Sequence, residues 1–276
     1  VQDVEVRVAE QPEVEPATLD VVSSGERISV VMPCLNEEKG IVRCIRWAQE
    51  GLRKTGLPGE IIVADNGSTD RSVELALAEG ARVVHQPLRG YGNAYRKGFA
   101  ASTGTYIIMG DADQTYDFRE IPQLIAPLRE GYDYVLGSRF SGTILPGAMP
   151  WTHRYIGNPV LTFILNVLYG LESSDAHSGL RAFTRDAYLR MGLTSPGMEF
   201  ASELVIKAAQ SRLRVAEVPI TYYPRAGASK LNALRDGWRH LRFMFAYRFA
   251  GPVEQVEQDV TAALWPEDDG AGAYNK

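Results

Sequence analysis

From Ile28 onward, apolar residues fall in blocks whose spacing switches between that of strands and that of helices. Ile28 to Met32 is a short, mostly apolar run ended by Pro33, the pattern of a buried strand. A helix is expected from about Glu37 to Lys54, with Ile41, Ile45, Ala48 and Leu52 at helical spacing. Glu60 to Ala64 reads as a second strand, closed by the turn cluster Asp65-Asn66-Gly67-Ser68. Ser68 or Thr69 caps the next expected helix, which runs to about Glu79. Ala81 to His85, Gly92 to Ala101 and Tyr106 to Met109 then read as strand, helix and strand. This alternation predicts an α/β fold with a mainly parallel, Rossmann-like sheet flanked by helices on both faces.

Beyond it, Tyr134 to Gly137 reads as a strand, 138–150 as a loop and 151–171 as helical. Glu199 to Ser211 is an expected helix and Arg214 to Tyr222 a strand. The last expected helix, Asn232 to Phe249, puts Trp238, Leu241, Phe245 and Phe249 on one face and Arg235, Arg239 and Arg242 on another. Residues 1–26 lack clear periodicity and read as a mostly disordered acidic lead, and 253–276 as an acidic tail. The main folded body is thereby placed at 27–231, with an amphipathic basic-aromatic helix at 232–252.

Charge changes this picture. The net charge of -5 hides seven acidic and one basic residue in 1–26, and six and one in 253–276, so residues 27–252 carry +6. Such a body suits an anionic ligand such as a nucleotide diphosphate or a lipid phosphate. The two cysteines, Cys34 and Cys44, fall inside the first strand and first helix and are expected to be buried thiols. No signal peptide is visible. No stretch approaches the roughly 18–20 apolar residues that span a bilayer; the longest candidate, 159–171, contains Asn166.

Ligands on parallel sheets bind at the carboxyl ends of strands. Asn36-Glu37, Asp65-Asn66 and Asp111-Ala112-Asp113 should therefore face one crevice. Two carboxylates flanking one small residue at a strand end can approach one hard cation, Mg²⁺ or Mn²⁺; the plainer alternative is a polar turn. Asp65 either accepts hydrogen bonds from a nucleobase or ribose, or forms an Asx turn. Glu37 either faces the crevice or is a first-turn acid favoured by the helix dipole. Gly90-Tyr91-Gly92 opens like a dinucleotide fingerprint, but Tyr95 stands where a third glycine belongs, and no G-K-[ST] occurs. Oxidoreductase and P-loop kinase readings are both poor.

Several ordered motifs together carry a resemblance. They are Val30-Val31-Met32-Pro33-Cys34-Leu35-Asn36-Glu37, Val63-Ala64-Asp65-Asn66-Gly67-Ser68-Thr69-Asp70, Gly110-Asp111-Ala112-Asp113, Gly137-Ser138-Arg139 and Ser178-Gly179-Leu180-Arg181-Ala182-Phe183. The set resembles family 2 glycosyltransferases, and within them dolichol- or polyprenyl-phosphate sugar (mannose or glucose) synthases, over about residues 27–245. The resemblance implies a GT-A fold and inverting transfer of a hexose from a UDP- or GDP-sugar. Pro33, Leu35, Glu37 and Asp65 would line the nucleoside pocket; Asp111 and Asp113 would hold the metal with the diphosphate, joined by Gln114. Arg139 and Arg154 would meet an acceptor phosphate, and Arg225 and Lys230 would clamp phosphate from a loop.

The expected acceptor is a polyprenyl or dolichyl phosphate, which is already anionic; a hydroxyl acceptor would need a base, with Asp175 first, then Glu199 or Glu203. Many relatives carry membrane-spanning helices after the catalytic domain, where this chain has a basic aromatic helix. The expected location is the cytoplasm, or peripheral at the inner face of the membrane. Competing readings are a soluble glycosyltransferase acting on a small-molecule hydroxyl, a nucleotidyltransferase of the same fold, and a non-catalytic nucleotide-sugar-binding protein. Nucleic acid is not an expected partner, and the sequence is silent on oligomeric state.

Overall fold

The computed structural model describes residues 7–8, 25–227 and 233–249. Eight strands form one sheet in the order β1-β8-β6-β7-β5-β2-β3-β4. They are β1 (Arg7–Val8), β2 (Ile28–Cys34), β3 (Gly59–Asp65), β4 (Arg82–His85), β5 (Tyr106–Met109), β6 (Tyr134–Ile144), β7 (Arg181–Thr184) and β8 (Val215–Tyr222). The helices are α1 (Ile41–Thr55), α2 (Ser72–Ala78), α3 (Tyr91–Ala101), α4 (Ile121–Arg129), α5 (Asn158–Tyr169), α6 (Arg185–Met191), α7 (Phe200–Gln210) and α8 (Ala233–Phe249). A π-helical turn, His153–Gly157, leads into α5. All pairings are parallel except those of β7, which runs antiparallel between β5 and β6.

The sheet holds because β2, β3 and β5 are apolar on both faces. Val30 and Met32 pack with Ile45, Phe118 and Leu124 on one side, while Val31 packs with Ile107, Phe99 and Phe200 on the other. A third cluster joins Leu165 of α5, Ile206 of α7 and Phe243, Met244 and Tyr247 of α8. The parallel register pairs Cys34 with Asp65 and Val31 with Met109, so the ends of β2, β3 and β5 open onto one edge. Cys34 and Cys44 are buried and free.

Several expectations need correction. Helix α1 starts at Ile41 rather than Glu37; residues 38–40 form a turn in which the Gly40 and Ile41 amides both donate to the Glu37 carbonyl. Helix α2 starts at Ser72: Ser68 and Thr69 are engaged with Asp65 and Asn36, and Asp70 Oδ1 accepts from the Ser72 amide at 2.9 Å. The expected loop after Gly137 is strand as far as Ile144, with a break in register between Ser138 and Thr143. Arg7–Val8, inside the expected disordered lead, pairs with β8; the rest of 1–24 and the acidic tail lie outside the described residues.

The aromatic face expected on the last helix lies on its exposed side. Phe243, Met244 and Tyr247 face inward, while Trp238, Phe245 and Phe249 face out. Among the described residues no helix is long and apolar enough to cross a membrane.

Candidate active site

Strand β5 is buried along its length and releases the chain at Gly110, where a side chain would collide with the Phe118 ring. Asp111 follows, its Oδ1 accepting from the hydroxyls of Tyr91 at 3.0 Å and Tyr95 at 3.2 Å. Asp113 is buried, with Oδ1 accepting from the Thr115 amide at 3.0 Å and Thr115 hydroxyl at 2.5 Å. The loop is backed by Gly40, where an added Cβ would sit 2.5 Å from the Ala112 carbonyl oxygen. Burial first, and then the neighbouring Asp113 charge, push the Asp111 carboxyl up to about 7.

That shift has a measurable sign. The folded, metal-free protein holds the Asp111 proton more tightly than the unfolded chain, so the stabilisation is full below the ordinary value of 3.8 and is lost as pH rises through about 7. Asp111→Asn should flatten the fall in metal-free melting temperature between pH 5 and pH 8, read by calorimetry; an unchanged fall would refute the assignment.

The second oxygen of Asp113 meets Arg225. Its Nη1 lies 2.7 Å from Asp113 Oδ2 and its Nη2 2.7 Å from Glu37 Oε1. Its segment is tied over the acidic loop by two backbone bonds, Tyr223 amide to Thr115 carbonyl and Ala226 amide to Asp113 carbonyl, each 2.9 Å. Arg225 Nε is buried with no acceptor among the described residues. A side-chain cation thus already balances this carboxylate.

Two carboxylates alone do not make a closed cation cage, and no cluster of three or more His, Cys, Asp or Glu capable of holding a metal occurs among the described residues. That donor set fits a hard ion completed by water and substrate phosphate oxygens, as for Mg²⁺. Gln114, expected as a third ligand, is turned away. Its amide donates to the Lys39 carbonyl at 2.8 Å and accepts from Arg43 at 3.1 Å, on a backbone of φ 69°.

Asp65 is engaged by its own turn. Its oxygens accept from the Ser68 amide at 3.0 Å and the Gly67 amide at 3.2 Å, with His85 Nδ1 at 3.2 Å. Burial alone would raise this carboxyl, but those contacts outweigh it and hold it below its ordinary value. Asn36 Oδ1 accepts from the Thr69 amide at 2.8 Å, tying the end of β2 to the loop after β3. Pro33 and Leu35 are half-buried beside it. Asn66 carries the same frame outward, donating to the Gln86 and Leu88 carbonyls and accepting from the Gly90 amide.

Arg139 and Asp175 close on each other. Nε and Nη2 of Arg139 reach the two Asp175 oxygens, both at 2.7 Å, and the Arg139 amide adds a third bond at 2.9 Å. Asp175 is fully buried. A base needs room for the acceptor, and this carboxylate is enclosed with both oxygens already accepting from Arg139. Its expected role as base is not what the geometry favours. Glu203 is also engaged, by Thr194 and Ser195. Glu199 differs: Oε1 accepts from the Gly197 amide at 2.7 Å, while Oε2 is buried with no donor among the described residues. Arg154 lies on the π-helical turn against Tyr155, and Lys230 lies outside the described residues.

The sequence reading missed the tyrosines that frame the acidic pair. Tyr91 and Tyr95 stand four apart on α3, so both hydroxyls reach one point. Tyr116 accepts from the Gly179 amide at 2.6 Å, and a Cβ on Gly179 would lie 3.0 Å from Asp111 Oδ2. The tyrosine spacing was a readable signal; the Gly179 approach was not.

Known proteins resemble the chain in sequence and fold. A family model described as Glycosyl transferase family 2 matches residues 29–192. The low-salt glycan biosynthesis hexosyltransferase Agl6 of Haloferax volcanii is 50% identical over 230 residues, covering 82% of this chain and 55% of that protein, so the chain spans about half of that relative's length. A dolichyl-phosphate hexose transferase of the same organism is 33% identical over 212 residues, 76% of this chain and 89% of that one. Among solved structures, glucosyl-3-phosphoglycerate synthase of Mycobacterium tuberculosis with Mn²⁺, UDP-glucose and glycerol 3-phosphate aligns with a TM-score of 0.68 at 25% identity, over 89% of this chain and 88% of that one.

Proposed function

The chain belongs to glycosyl transferase family 2, and on that premise we propose that it transfers a hexose, with inversion, from a UDP- or GDP-sugar to a polyprenyl or dolichyl phosphate. The observation that carries the reading is the Asp111–Asp113 turn under the Arg225 guanidinium: a negative pocket that already holds one cation, at the mouth of a parallel sheet. A divalent ion on these carboxylates would neutralise charge on the departing diphosphate. Uridine is the first choice of base, because the aligned synthase holds UDP-glucose. The lipid acceptor draws on the name of the dolichyl-phosphate relative.

The chain's own residues supply the rest. Asn36 and Asp65 fix the two loops between which a nucleoside would lie. Tyr91 and Tyr95 orient Asp111. Arg225 is tethered within reach of both Glu37 and Asp113, so a diphosphate entering beside Asp113 meets a planar fork suited to phosphate oxygens. Asp175 holds Arg139 in place and takes no proton.

A thermal-shift panel of nucleotide sugars with and without Mn²⁺ tests the donor half. A UDP- or GDP-sugar should raise the melting temperature only with metal; a panel with no metal-dependent shift would sink it. The orphaned Glu199 oxygen supports a second reading, in which the acceptor is a hydroxyl that needs a base. Under the phosphate reading Glu199→Gln should change kcat by less than about threefold, whereas loss of a base costs about 10²- to 10⁴-fold. Turnover of the variant with each acceptor class decides between them.

A further inference from the structure

We propose that the outer face formed by the π-helical turn, α5 and α8 docks on the surface of a negatively charged lipid bilayer. Trp151 is 64% exposed, and Phe163 and Val167 are each 66% exposed along one side of the turn and α5. On α8, Trp238 is 69% exposed and Phe249 71%. Single exposed apolar residues are ordinary, but adjoining helices that both present large ones mark an interaction surface. The two helices lean on α7 and on each other: Tyr169 Oη donates to the Met244 carbonyl at 2.7 Å and Arg248 Nε to the Leu168 carbonyl at 3.1 Å. With their inner faces closed around Leu165, Phe243 and Met244, their outer faces share one side.

Charge selects the occupant. Residues 151–169 contain Arg154 and no acid, and α8 carries Arg235, Arg239, Arg242 and Arg248 against the single acid Asp236. A second copy docked across a two-fold axis would set exposed Arg242 and Arg248 near their own equivalents, with a single acid, Asp236, in these segments against five arginines. An anionic bilayer meets the same arginines with phosphates, while indole and phenyl rings settle among the headgroups. The immersion is shallow, since no described helix can cross the bilayer.

The face adjoins the site. Chain order places α5 between Arg139 on β6 and Asp175, the two halves of the buried pair. Helix α8 reaches the loop after Asp175 through His240, whose Nδ1 is 2.8 Å from Ser202 Oγ, and Ser202 lies 3.1 Å from His177 Nε2. Gly179 in that loop lies against Asp111. A phosphate carried on a lipid would arrive from this side, on the β6 half of the sheet and away from β3. In that purpose the proposal rests on the lipid-phosphate reading, although docking itself does not.

The test is flotation of the whole chain with vesicles of equal parts phosphatidylglycerol and phosphatidylcholine, against phosphatidylcholine alone, without donor or acceptor. Wild type should float with the anionic vesicles and bind the neutral ones about tenfold or more weakly. The exposed triple variant W151S/F163S/W238S should melt with wild type yet lose a similar factor, and brominated lipid should quench Trp151 and Trp238. Absence of wild-type flotation, flotation without quenching, or a concentration-dependent dimer broken by the same substitutions overturns the proposal. Transfer to a short, water-soluble polyprenyl phosphate without vesicles tests the acceptor separately, so either idea can fail alone.

Discussion

Asp113→Asn should lower kcat on the order of 10²- to 10³-fold at saturating donor and sharply weaken Mn²⁺ binding, while leaving the fold intact. The substitution is nearly isosteric, and its carbonyl oxygen can still accept from the Thr115 amide and hydroxyl, so the turn keeps its local bonds. What changes is the other side. Where Asp113 Oδ2 now meets Arg225 at 2.7 Å, an amide group would present donors to a donor. Arg225 keeps Glu37 but loses the carboxylate that centres it over the crevice. The pocket loses one of the two negative charges that make it selective for a divalent ion. Electron paramagnetic resonance of Mn²⁺ and turnover at several metal concentrations report the two consequences separately. A variant that keeps wild-type metal dependence and kcat within about threefold would remove Asp113 from the site.

Much of the architecture was legible because the parallel half repeats one unit. The runs ending at Pro33, Ala64 and Met109 are apolar on both faces and are each followed by polar turn residues, which signals both strand and crevice. The antiparallel strand β7 was missed: Arg181 opens it, and four residues carry too little alternation to read. Helix α4 was likewise unread, with Pro127 inside it obscuring a helical pattern. The last helix could be read only as one aromatic and one basic face, with its inward side left open. Its aromatics lie all around the cylinder, and only the presence of α5 and α7 decides that Phe243, Met244 and Tyr247 are the buried set.

The site divides along the same line. Asp111 and Asp113 were readable because their chemistry is local: two acids at one strand end. Partnerships formed across the fold were not. Arg225 lies 188 residues from Glu37, and nothing in either segment announces the contact. Gln114 looked like a ligand by position in the chain, but its positive φ turns the side chain toward Arg43 and Lys39. The same blindness explains Asp175, whose partner Arg139 was assigned a separate role.

That pair yields the largest expected effect on stability. Asp175→Ala should destabilise the protein by about 3–5 kcal/mol, because it leaves the Arg139 guanidinium buried without its counter-charge. Against a total of about 5–15 kcal/mol, that is a drastic loss. Arg139 cannot escape to solvent easily, since it is packed with its charge 5.2 Å above the Tyr222 ring. The double variant R139M/D175L replaces both charges by apolar groups and should recover much of that stability, as buried ion pairs commonly do when removed together. It should not recover turnover if the guanidinium helps to receive an acceptor phosphate. Urea unfolding and kcat measured on both variants separate structure from chemistry. If Asp175 were instead the base, Asp175→Ala would unfold at the wild-type urea concentration while losing turnover, with the acid limb of its pH–rate profile gone. That result would return the proton to Asp175 and take the support of Arg139 away from it.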